Sequence, residues 1–116
     1  MIRAVPFALA LALTGALSAP AQSASFPCAK ASAPDELAIC SHLALNDQDV
    51  VMATLYTTLL PLLAMGSAGA TRDAQKQWLA SRQACGGNVA CLSAAYASRI
   101  AALKAQFAQI AAGGPY

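Results

Sequence analysis

The stretch Gln75-Lys76-Gln77-Trp78-Leu79-Ala80-Ser81-Arg82-Gln83-Ala84-Cys85-Gly86-Gly87-Asn88-Val89-Ala90-Cys91-Leu92 decides the fold. Gln75, Trp78, Arg82 and Cys85 recur at intervals of 3, 4 and 3, the spacing of one helix face. Gly86-Gly87 ends that helix, and the Asn88 side chain is suited to accept from the free amides of a following one. Val89, Leu92, Tyr96, Ile100, Leu103, Phe107 and Ile110 stripe the next helix until Gly113-Gly114-Pro115 stops it. A turn this short between two amphipathic helices predicts a hairpin packed along its apolar faces.

Toward the amino terminus, Leu45, Asp49, Met52, Tyr56, Leu59 and Leu63 are spaced 4, 3, 4, 3 and 4, with Val51, Leu55 and Leu62 widening the stripe into another helix. Pro61 is expected to bend this helix or mark its last turns, because proline removes a backbone donor and crowds the preceding carbonyl. Before it, Pro34-Asp35-Glu36 reads as the first turn of a short helix running to about Cys40. Ser23 to Ala33 reads as an extended lead-in. Gly66-Ser67-Ala68-Gly69 is expected to break the pattern, with Thr71 as an N-cap and Asp73 as a first-turn acid of the Trp78 helix. No segment alternates as a strand does. The fold class is therefore all-α: a small disulfide-stapled bundle or hairpin of about four helices.

The 116 residues allow one small domain, and with 10% charged residues the chain is neither a coiled-coil rod nor a disordered tail. Met1-Ile2-Arg3, the apolar run Ala4 to Leu17 and the small residues Ser18-Ala19-Pro20-Ala21 read as a secretory signal over residues 1–21, leaving 22–116 as a single domain. No small-residue lipobox directly precedes a cysteine, so no lipid anchor is expected. The exported product would carry a net charge of +1, too weak a field to argue for DNA or RNA. A rival reading comes from Val50 to Thr71, which contains no charge and is long enough to span a bilayer. Pro61, four threonines and the Gly/Ser cluster dilute that run, so a packed amphipathic helix is expected and no stable membrane insertion after signal cleavage.

Cys28, Cys40, Cys85 and Cys91 make an even number in an exported domain, which predicts a disulfide framework. Of three connectivities, Cys28–Cys40 and Cys85–Cys91 are preferred because each closes a short loop beside turn residues. The chain-entropy model assigns about 2–3 kcal/mol to each. Neither C-x-x-C nor C-x-x-C-H occurs, and intervals of twelve and six positions fit a four-cysteine zinc site poorly. No metal or cofactor is expected.

Catalysis finds little footing in the sequence. His42 stands alone, no serine has a visible base and orienting acid, and the neighbours Asp35/Glu36 and Asp47/Asp49 point different ways on a helix. Trp78 and Arg82 lie one turn apart, so the guanidinium should cover the indole or reach a carboxylate, with Asp49 the expected partner. With Tyr56, Tyr96 and Arg99 they read first as fold-specifying residues and second as interface anchors.

The succession Phe26-Pro27-Cys28-Ala29-Lys30, Glu36, Ile39-Cys40-Ser41, Leu45, Asp49, Tyr56, Gln77-Trp78-Leu79, Arg82, Cys85, Cys91, Tyr96 and Arg99 resembles the LprI-type lysozyme-inhibitor family, whose domains carry four cysteines and a W-x-x-x-R-x-x-C signature. The resemblance spans Phe26 to Leu103. His42-Leu43 departs from an expected acid and proline, and Gln48 from an apolar residue. The resemblance implies a periplasmic or secreted non-enzymatic protein that binds a protein partner, lysozyme, and blocks its cleft. Lys30, Ser41 and His42, or Arg72 with Lys76, are the candidate donors to the cleft's acids. A scaffold module with an unrelated periplasmic partner is the second expectation.

Overall fold

A computed structural model describes residues 24–113 and, before them, Gly15 alone. The rest of the expected signal segment, and Gly114-Pro115 of the expected stop, lie outside the described residues. Ala24 to Pro27 leads into a single 3-10 turn, Cys28–Lys30, and four helices follow. They are α1 Pro34–Ser41, α2 Leu43–Leu59, α3 Met65–Ala84 and α4 Val89–Ala111, with a second 3-10 turn, Leu60–Leu62, after α2. No strand occurs among the described residues, and the two disulfides pair Cys28 with Cys40 and Cys85 with Cys91. The all-α, disulfide-stapled reading holds.

Local chemistry accounts for most of the boundaries. Pro34 opens α1, where its missing N–H costs nothing, and the Glu36 carboxylate accepts the Ala33 N–H at 3.3 Å. Pro61 marks the end of α2: the chain tightens into the 3-10 turn and leaves it at Leu63 in extended conformation. After α3 the chain turns through Gly86 at φ +55°, a left-handed conformation that suits glycine. Asn88 then caps α4, its Oδ1 accepting the Cys91 N–H at 2.9 Å.

Two expectations are corrected. Gly66 to Gly69 does not break the chain, and Thr71 is not an N-cap: α3 begins at Met65, after Ala64, and Thr71 is buried inside it. The reason is the buried stripe itself, which continues backward from Arg82 through Trp78, Gln75 and Thr71 to Ala68. Packing of that stripe outweighs the cost of glycine in a helix, roughly 0.5–1 kcal/mol per residue relative to Ala. Val51 and Leu62, expected to widen the α2 stripe, are instead exposed.

α2 and α4 run parallel, with α3 antiparallel to both. The pairings Gln48–Ser93 and Asp49–Tyr96 join α2 to α4, Gln75–Met52 joins α3 to α2, and Trp78–Ala95 and Arg99–Gln75 join α3 to α4. Short α1 packs against α2 and α3 at one end. Ile39, Leu45, Leu59, Leu92, Tyr96 and Leu103 are fully enclosed between these helices, each aliphatic side chain contributing about 1.5–3 kcal/mol of transfer free energy. Among the described residues no helix is long and apolar enough to cross a membrane. The uncharged run of 50–71 is divided between α2, the Pro61 turn and the start of α3.

Candidate functional site

Four of the candidate residues, Asp49, Trp78, Arg82 and Tyr96, come together near the α1 end of the bundle. Asp49, wholly buried on α2, accepts a 2.8 Å hydrogen bond from the Tyr96 hydroxyl on α4 and a 2.6 Å bond from the Ser25 amide. Arg82 on α3 donates from Nε to Asp35 at 2.8 Å, while its terminal nitrogen lies 3.9 Å from Asp49. The expected Arg82–Asp49 pair is therefore the longer of two, and Asp35 is the main partner. Asp35 is placed there because it shares the buried face of α1 with Ala38 and Ile39, three and four residues on. The Arg82 guanidinium also sits 5.6 Å from the Phe26 ring centre and 5.9 Å from that of Trp78, which adds cation–π attraction.

Burial, reinforced by the Asp49 charge and the hydrogen bond to it, pushes the Tyr96 phenol far above its ordinary 10, so it stays protonated and donates. Burial alone would lower Arg82, but Tyr96 and Asp35 outweigh it and raise its pKa. Arg99 has no carboxylate partner among the described residues; it donates to Gln75 Oε1 at 2.8 Å and the Thr71 carbonyl at 3.4 Å, and burial lowers its pKa. Trp78 meets Tyr96 edge-on at 5.0 Å and donates its indole N–H to the Ala95 carbonyl. Asp49, Trp78, Arg82, Tyr96 and Arg99 are thus committed to internal bonds, and they specify the packing of three helices.

Tyr56 differs. It is half-buried on the wall of a groove of about 420 Å³ between α2 and α3. Met52, Ala53 and Leu79 form its apolar floor, and Arg72 and Lys76, one turn apart on α3, line the opposite wall with their side chains exposed. Arg82 and Ser25 also line it, so the groove abuts the buried cluster. No carboxylate lines it, and neither Arg72 nor Lys76 forms an ion pair among the described residues.

The other expected donors sit elsewhere. Lys30 is exposed on the first 3-10 turn, and Ser41, the last residue of α1, and His42, its C-cap, are both bonded to the Ala38 carbonyl. The structure does not bring this set to the groove. Sequence reasoning passed over Ser25, Asp35 and Gln75 as partners. The i, i+3, i+4 relation of Asp35 to Ala38 and Ile39 carried the signal for one; a backbone amide reaching Asp49 from 24 residues away left none. Compared with known proteins, the chain matches no family model, no curated protein and no solved structure.

Proposed function

We propose that this is an exported, non-enzymatic binding domain that acts on a protein partner through the α2–α3 groove, and that the partner is lysozyme, whose cleft it blocks. One observation carries the proposal: Arg72 and Lys76 form no ion pair among the described residues and stand beside an apolar floor, whereas the buried cations Arg82 and Arg99 are spent on internal hydrogen bonds. Lysozyme works with two carboxylates in an open groove. Two cations one turn apart on α3, with the Tyr56 ring across from them, suit such a pair of acids. Aromatic and basic side chains are also the usual anchors of protein interfaces. The succession of residues that resembles the LprI-type inhibitors supports the same partner, and two disulfides suit export to an oxidising space.

The test is a turbidity assay with the oxidised protein at micromolar levels. Lysozyme-driven clearing of cell-wall suspensions should slow in its presence and recover its rate when Arg72→Glu/Lys76→Glu replaces it, that variant keeping its helical circular dichroism. Unimpeded clearing by a folded protein would sink lysozyme as the partner and leave the scaffold-module reading in its place.

A further inference from the structure

We infer that the α2–α3 groove is a receptor for a peptide segment that sets an acidic side chain beside an aliphatic one. The inference rests on the groove being the partner-binding face, and holds whether or not that partner is lysozyme. Its volume of about 420 Å³ falls in the ~300–1,000 Å³ range of clefts that enclose small ligands, room for one or two side chains. Met52, Ala53 and Leu79 supply an apolar floor, which favours an aliphatic group.

Charge then selects the neighbour. Of the three cations in the lining, Arg82 is already matched by Asp35 at 2.8 Å and faces Asp49 at 3.9 Å. The unmatched charge comes from Arg72 and Lys76. The nearest acid in sequence, Asp73, lies about 100° round the helix from Arg72, and it forms no ion pair with Lys76. A carboxylate entering the groove would therefore meet two free cations and no competing acid, partly shielded from water by the apolar floor, where such bonds are stronger than in bulk solvent. Two cations over an apolar base do not make a polyanion track. They suit one acid with an apolar companion, and the wall hydroxyl of Tyr56 adds a donor for the peptide's own carbonyls, while the Thr57 hydroxyl, already donating to the Ala53 carbonyl at 2.9 Å, is left to accept from a peptide amide.

The probe is the blocked hexapeptide Ala-Leu-Glu-Leu-Glu-Ala, titrated into the oxidised full chain while backbone amide shifts are followed by NMR. Shifts should cluster at Tyr56, Thr57, Arg72 and Lys76, and binding should weaken with salt. Replacing Glu by Gln, or Leu by Ala, in the peptide should each weaken binding at least about tenfold, as should Arg72→Glu/Lys76→Glu in the protein. Thr57→Trp, which fills the groove without touching its charge, should abolish binding while leaving the far side of α4 unshifted. Equal binding of the Gln peptide, shifts elsewhere, or dodecyl phosphate moving the groove amides where the peptide does not would each overturn the inference. Peptide binding without slowed wall clearing would leave this inference standing and remove lysozyme. Slowed clearing without peptide binding would do the reverse.

Discussion

At the end of the bundle where α1 lies, polar and covalent bonds do much of the holding. Arg82 reaches Asp35, Tyr96 and the Ser25 amide close on Asp49, and both cystines sit nearby, since a Cβ added at Gly87 would come within 3.9 Å of the Pro34 carbonyl. The opposite end has no cystine. There Leu59 and Leu103 are fully buried, Leu63, Phe107 and Ile110 pack against the core, and a hydrogen bond from Gln106 to the Thr71 hydroxyl is the polar tie. Leu62 and Met65 remain exposed beside it. One end is thus specific in geometry but costly to perturb, because buried charges tolerate no missing partner. The other depends on area, which many side chains could supply.

The largest effect expected at the polar end comes from Arg82→Met, which strands the buried Asp35 carboxylate and removes the nearby cation from Asp49, and should cost about 3–5 kcal/mol in denaturant unfolding. A smaller loss would show that water or rearrangement replaces the guanidinium, and the contrast between the ends would weaken. Leu103→Ala should cost about 2–5 kcal/mol through the cavity it leaves. Hydrogen exchange should locate that loss, with amides around Leu59 and Phe107 exchanging faster while those around Leu92 stay protected.

Opening the Cys85–Cys91 loop with paired serines should cost about 2–3 kcal/mol and loosen the α3–α4 turn first. Alkali probes the polar end in another way. Because folding raises the Tyr96 pKa above 10, the unfolded chain loses its phenol proton first. Stability from this group is fully present below pH 10 and declines as pH rises beyond it. Tyr96→Phe should flatten that decline while costing about 1–3 kcal/mol at neutral pH, since Asp49 loses a donor. The smallest effect is a gain: Gly69→Ala, in a helix with open space around the added methyl, should stabilise by roughly 0.4–1 kcal/mol.

These two ends were also unequally legible in the sequence. Stripes at helical spacing, Pro61, Gly86 and Asn88 made the helices and the α3–α4 turn readable, and loop length pointed to both cystines. The start of α3 is hidden because Gly66 and Gly69 are turn residues by propensity, and the helix is announced there only by Ala68 and Thr71, which extend the stripe of Gln75, Trp78 and Arg82 backward. Trp78, Arg82, Tyr96 and Asp49 were recognisable as a group, but their pairing was not, because Asp35 and Asp49 compete for one guanidinium and only the placement of α1 decides between them. The groove is a property of two helices meeting. Tyr56 reads as core from its spacing alone, and nothing local announces that α3 leaves it partly uncovered beside Arg72 and Lys76.

The Ser25 amide reaches Asp49 from a segment that is pinned three residues later by Cys28. While the sulphurs are still apart, that segment must surrender roughly 1–2 kcal/mol of backbone freedom per residue for one charged hydrogen bond and the Phe26 ring resting on Arg82. The helices surrender the same freedom, but offset it with a backbone hydrogen bond at nearly every residue and with buried apolar area. Reduction of Cys28–Cys40 should therefore loosen the leading segment and strip the Ser25 donor from Asp49 before it disturbs the helices.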